Sequence, residues 1–179
     1  MDNLEIREAV IADAAGIADV HIRSWQSAYQ GIVPQDHLDS LDIEERVKSW
    51  ENGLETPSCP SMVRLVALFN KQIVGFSCIG KSRETDMPEH GELYAIYMTP
   101  DFYGRSVGYG LFRESMKELM KQGYEKAYVA VLKDNQRGIK FYERTGASLI
   151  KDSDFTIDIG GKTLTEVHYE WSNLKGLNL

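Results

Sequence analysis

The sequence is short of several things, and each shortage closes off a class of protein. It has only two cysteines, Cys59 and Cys78. They are too few and too far apart for a disulfide framework or a CxxC redox or zinc motif, so both read as reduced thiols. No stretch approaches the ~18 uninterrupted apolar residues of a membrane-crossing helix, and MDNLEIRE at the start is acidic and lacks an apolar leader core. These features predict a cytoplasmic protein with no membrane partner. Basic residues are also in deficit, 20 against 27 acidic ones for a net charge of −7. A polyanion requires a cationic surface, so nucleic acid is not expected as a partner. The four histidines, His21, His37, His90 and His168, show no HExxH or paired-ligand spacing, and no metal is expected.

What is present is ordinary for a folded chain: 179 residues, 42% hydrophobic and 26% charged, a length that predicts one domain over 1–179. The charge is unevenly placed. The first 60 residues hold 12 acids and 4 bases, whereas residues 99–144 hold 9 bases and 6 acids. An acidic front and a basic middle suit a cationic ligand on one side and an anionic one on the other; solvated helix faces would give the same pattern.

Leu4, Ile6 and Glu8 alternate with their neighbours as an edge strand, and Asp13 is placed to cap a helix running to about Tyr29. Ile17, Val20, His21, Trp25 and Ala28 trace one face of it. A second helix is predicted from Asp42 through Trp50, with Glu45 completing a capping-box-like start. Residues 62–69 and 72–79 read as a hairpin turning at Asn70-Lys71, and 80–90 as a loop. Residues 92–98 (ELYAIYM) are apolar on both faces apart from Glu92, which predicts a central strand. A Gly-bearing loop, a helix ending at Gly123, a strand over 126–132 and a helix from the Asn135 cap to Thr145 follow. Gly160-Gly161 reads as the turn of a closing hairpin, and 174–179 as a frayed tail. This order is mixed α/β, with hairpins at both ends and a βαβ crossover in the middle.

Two segments carry chemistry. The loop Phe102-Tyr103-Gly104-Arg105-Ser106-Val107-Gly108-Tyr109-Gly110 lies between a buried strand and a helix. Its three glycines let successive N–H groups converge on an anion at the positive end of the helix dipole, which suits phosphate. It is neither a Walker loop nor a GxGxxG fingerprint, and a ligand-free turn would use glycine equally. Further on, Asn135 and Phe141 are each explained by helix structure alone, as cap and core residue. Tyr142, two turns beyond Asn135 and on roughly the same side, can present a phenol able to protonate a leaving group, or can simply be a boundary aromatic.

Together, residues 90–147 resemble the GNAT superfamily of acetyl-CoA-dependent N-acetyltransferases, whose core runs strand, QxxGxG loop, helix, strand, NxxAxxFYxxxGF. In the register that aligns Pro100-Asp101 and the helix start, the family's Gln falls on Tyr103, its first Gly on Ser106 and its second on Gly108. A competing register, Arg105 to Gly110, satisfies a looser form with Arg first. The first is preferred because backbone amides hold the phosphates and Ser106 still supplies its N–H, although it must occupy backbone space that glycine enters freely. Asn135, Phe141, Tyr142 and Gly146 match the later motif, with Gly138 in place of Ala and Ala147 in place of Phe.

The resemblance implies a GNAT-like α/β (α+β) fold: a mixed, mostly antiparallel, twisted sheet of six to seven strands, splayed between two central parallel strands and flanked by about four helices. It implies acceptor-side helices within 1–60, an acetyl-CoA core within 90–147 and closing strands within 148–171. Acetyl-CoA would lie with its pyrophosphate on the amides of 103–110 and its pantetheine arm along Ile96, Tyr97 and Met98. Arg105, Lys133 or Arg137 would balance the remaining phosphate charge. Acetyl would pass to a small primary amine, with Glu92 or water as general base and Tyr142 as general acid, without a metal. Tyr94, on the Glu92 face of the strand, would help wall the pocket. Trp25, Tyr29 and Trp50 among the N-terminal carboxylates suit an ammonium acceptor, although aromatic packing between helices and sheet accounts for any one of them. A homodimer is a further implication, and a non-catalytic CoA-binding regulatory or scaffolding protein is the alternative function.

Overall fold

The computed structural model describes residues 4–57 and 59–179. An edge strand β1 (Leu4–Glu8) leads into α1 (Ala14–Ala28), α2 (Gln35–Asp39) and α3 (Ile43–Glu55). The hairpin of β2 (Val63–Phe69) and β3 (Gln72–Lys81) follows, then β4 (His90–Met98), α4 (Val107–Lys121), β5 (Lys126–Leu132) and α5 (Gln136–Arg144). Two-residue β6 (Ser148–Leu149), β7 (Phe155–Ile159) and β8 (Lys162–Trp171) close the chain. The strands form one sheet in the order β1-β2-β3-β4-β5-β8-β6, with β7 also on β8. Among the described residues that is eight strands and five helices where six to seven and about four were expected; the five-residue α2 is too short for a periodicity to show.

Both tight turns follow from local chemistry. Asn70 and Lys71 have φ of 49° and 69°, and Gly160 and Gly161 have 61° and 78°. Two consecutive left-handed residues match the twist of a two-residue hairpin. Asp42 caps α3, its Oδ1 accepting the Glu45 N–H at 2.8 Å, and Asn135 caps α5, its Oδ1 accepting the Gly138 N–H at 3.0 Å. Asp13 precedes α1 but its side chain does not cap that helix. It turns back to accept from the Val10 N–H and from both terminal nitrogens of Arg7, at 2.7–2.9 Å, because a bidentate guanidinium outcompetes a single amide.

Alternation along the strands sends neighbouring side chains to opposite faces. Leu65 and Ala67 pack with Val107 and Leu111 of α4, while Val66 and Leu68 pack with Ile17 and Val20 of α1. The largest core joins α4 and α5 to the same face through Phe112, Met116, Ile139 and Trp171. The segment 174–179 is not frayed. Leu174 is fully buried in that core, its N–H bonds to the Glu125 carbonyl at 2.9 Å, and Tyr109 Oη donates to the Asn178 carbonyl at 2.5 Å. Its leucines bury enough apolar surface to hold a short terminal segment down.

The feature that positions the site lies between β4 and β5, the one parallel pair among the described residues. They are paired only at 90–92 with 126–128. Next along β4 is a bulge: Leu93 pairs with Ile79 and Ala95 with Cys78, leaving Tyr94 unmatched. A bulge bends its strand away from its neighbour. Beyond it β4 follows β3, β5 follows β8, and a gap opens in the sheet.

Candidate active site

A cavity of about 570 Å³ fills this gap and is lined from both faces of the sheet. On the α4–α5 face its wall includes Met98, Ser106, Gly108, Asn135, Phe141 and Tyr142; on the α1 face it includes Ala28, Tyr29, Tyr94, Tyr97, Ile157 and Glu166. Ile96, Tyr103, Gly104, Tyr109 and Arg137 contribute as well. The structure thus brings together most of the positions singled out from sequence.

At the start of α4 the first helical bond runs from the Gly110 N–H to the Ser106 carbonyl at 2.9 Å. The amides of 106–109 therefore have no partner within the helix, and no side chain caps them. Gly104 and Ser106 have φ of 76° and 63°, a left-handed pair that turns the preceding loop around these N–H groups. They lie at the positive end of a 15-residue helix, where unpartnered N–H groups favour an anion. Gly108 lets this end approach β4, since a Cβ there would collide with the Met98 methyl. Arg137 lies across the Tyr103 ring, 3.1 Å from its centroid, so α5 and the loop before α4 meet in a cation–π contact at the rim.

Three of the loop positions lie outside the cavity lining. Arg105 stands over the Phe102 ring at 5.3 Å, Val107 is buried against Leu111, and Gly110 faces Ile6. Trp25 and Trp50 are outside it too. Trp25 packs edge-on to Tyr29 at 5.0 Å and Trp50 edge-on to Phe76 at 5.0 Å, between helices and sheet.

Tyr142 is buried, edge-on to Trp171 at 5.8 Å, and its hydroxyl has no hydrogen-bond partner among the described residues. Burial raises its pKa far above the ordinary phenol value, so it keeps its proton throughout the neutral range. Tyr94, in the opposite wall, donates to the Lys81 carbonyl at 2.5 Å and is pushed up to about 12, chiefly by burial.

Glu92 is almost wholly buried and is not in the lining. Its Oε1 accepts from Arg83 Nε and Nη2 at 2.9 and 2.5 Å, and its Oε2 from the Arg83 N–H and Tyr128 Oη at 2.9 and 2.7 Å. Four donors fill the acceptor positions of a carboxylate. Sequence reasoning missed Arg83 and Glu166. Arg83 lies in a polar loop with no periodicity; Glu166 had a signal, because Glu166, His168 and Glu170 place three polar side chains on one face of a strand that is otherwise in the core.

Residues 21–147 match the family model described as the acetyltransferase (GNAT) family. The uncharacterized N-acetyltransferase YuaI of Bacillus subtilis is 29% identical over 96% of this chain and 95% of its own length. Spermidine N(1)-acetyltransferase of Thermoplasma acidophilum is 26% identical over 94% of this chain and 99% of its own. Among solved structures, the paiA N-acetyltransferase of Thermoplasma acidophilum in complex with coenzyme A superposes with a TM-score of 0.69 at 21% identity, covering 92% of this chain and 98% of that one. A ribosomal-protein-alanine N-acetyltransferase of Brucella melitensis does so with 0.71 at 18% identity, covering 93% and 98%. The fold of this chain is theirs.

Proposed function

This chain belongs to the acetyltransferase (GNAT) family, and from that premise we propose that it moves an acetyl group from acetyl-CoA to a small cationic primary amine. It is an acetyl-CoA-dependent N-acetyltransferase. The observation that carries the finer reading is the cavity in the β4–β5 gap, whose wall includes residues flanking unpartnered α4 amides on one face and a carboxylate among tyrosines on the other.

The residues fit the donor. The N–H groups of 106–109 suit its pyrophosphate, and Arg137 and Arg144 in the same wall add positive charge. Ile96, Tyr97 and Met98 line the gap where the pantetheine arm would lie. Acetyl-CoA supplies a thioester, which a neutral amine attacks and from which a thiolate departs. Tyr142 protonates that thiolate, and its neutral, unpartnered hydroxyl in the wall supports the role. Glu92 or water was expected as base. With its acceptor positions filled, Glu92 acts by fixing Arg83 and Tyr128, which leaves the amine's proton to water or to another carboxylate. On the acceptor side Tyr29, Tyr94 and Tyr97 offer aromatic surface to an ammonium. Spermidine, named for the Thermoplasma acidophilum relative, is an amine of this class. The acceptor helices within 1–60, the donor core within 90–147 and the strands within 148–171 then act as one domain.

The test is thiol release from acetyl-CoA with a panel of spermidine, putrescine, glucosamine and lysine. Turnover is expected with at least one of them, and Tyr142→Phe should lower kcat by about 100-fold while CoA binding by calorimetry is unchanged. CoA binding without thiol release across the panel would overturn the reading in favour of a non-catalytic CoA-binding protein.

A further inference from the structure

Glu166 sits within β8, opposite Leu132 at the end of β5 and opposite Phe155 of β7. It is half-buried, and it is the only carboxylate among the described residues that line the cavity. Its side chain has no hydrogen bond or ion pair among the described residues. Its nearby counterparts are occupied: Glu92 by Arg83 and Tyr128, and Glu170 by His90 at 2.7 Å. Arg83, one of three arginines in the lining with Arg137 and Arg144, is already bonded to Glu92. The acceptor end of the cavity therefore retains one unneutralised negative charge, beside Tyr29 and Ile157.

Resting on the acetyl-transfer reading, we infer that Glu166 holds the incoming ammonium and takes the proton that frees its nitrogen. A half-desolvated carboxylate without a partner is stabilised by a cation that brings its own donors. The charged and titratable groups around it are Arg83, Glu92, Tyr29 and His168 of the same strand face. Burial and Glu92 raise its pKa above the ordinary carboxylate value against the opposing effect of Arg83, which suits a group that must accept a proton and release it again.

The step balances. One N–H proton of R–NH3+ passes to Glu166, directly or through the water, and from there to solvent. The nitrogen lone pair forms the C–N bond, and the carbonyl electrons move to oxygen and return as the C–S bond breaks. The thiolate takes the Tyr142 proton, and the second proton shed by nitrogen restores that phenol. The sum is amide, thiol and one released proton.

The test is Glu166→Gln, assayed with the panel amine that the wild type acetylates fastest. With the carboxylate as base, wild-type kcat/KM is level between the pKa of Glu166 and that of the amine. Without it only free amine reacts, so kcat/KM of the variant should fall by about 100-fold at pH 7 and climb about tenfold per pH unit. Spermidine affinity of the CoA-loaded protein should fall at least tenfold, with CoA affinity unchanged. A variant with wild-type kcat/KM and a level profile overturns the inference. If E166Q does not fold, Glu166→Asp must lower the plateau while keeping it level; unchanged kinetics in that variant overturn the inference equally. No thiol release by the wild type would instead sink acetyl transfer itself, so the two failures are distinguishable.

Discussion

Tyr29 of α1 and Tyr97 of β4 meet hydroxyl to hydroxyl at 2.7 Å in the cavity wall. Burial raises the pKa of both, so both stay neutral and one donates to the other. Deleting either hydroxyl leaves the other without its partner. Tyr29→Phe and Tyr97→Phe should each cost about 1–2 kcal/mol in urea unfolding, and the double variant should cost about 1 kcal/mol less than the sum of the two. Strict additivity would show that the contact contributes nothing.

Ser106 holds a left-handed backbone conformation, φ 63°, which costs an L-residue roughly 1–2 kcal/mol. Glycine removes the cost but gains freedom in the unfolded chain. Ser106→Gly should therefore stabilise by about 0.5–1 kcal/mol, raising Tm by about 2 °C, and should bind CoA at least as tightly. Ser106→Val should lower Tm, because a β-branched residue is a poor fit to that region.

Much of the frame was legible because local chemistry dictates it. Asn70-Lys71 and Gly160-Gly161 turn as expected, Asn135 caps its helix, and the apolar run around Tyr94 is central. Ser106 was placed in glycine's backbone space from sequence, and it is there. What was not legible depends on distant partners. Glu92 looks like a free strand carboxylate until Arg83, nine residues back, fills its oxygens. Trp25 and Trp50 carry the same signature whether they wall a pocket or a core, and here they pack between α-helices and sheet. Asp13 has a good cap signature, but Arg7 takes it.

His21 makes stability depend on pH. Burial, aided by the charge of Arg46, pushes it down to about 4, and its Nδ1 accepts from Trp50 Nε1 at 3.3 Å, which only the unprotonated nitrogen can do. The unfolded chain takes up this proton near pH 6.5 and the folded chain only near 4. Stability is therefore full above 6.5 and is lost as pH falls toward 4, by roughly 2–3 kcal/mol. Thermal unfolding from pH 7.5 to 4.5 should show this slope, and His21→Gln should flatten it. An equal slope in that variant assigns the effect to other groups.

The C-terminal segment should matter in proportion to its burial. Leu174→Ala is expected to cost about 2–4 kcal/mol, read as a lower urea midpoint with unchanged slope. Loss of residues 174–179 should cost at least as much and also weaken CoA binding, because Tyr109 at the start of α4 would lose its bond to Asn178. A truncated chain as stable as the whole would mean that the segment docks without adding stability.

The bulge at Tyr94 turns a wall into a doorway. On the proposed reading the strands part so that thioester and amine arrive from opposite sides of one sheet, and neither has to vacate the room before the other enters. Such a layout needs no acetyl group parked on the protein between visits. It also lets one half of the chamber be reshaped for a different guest while the other half keeps serving the same host.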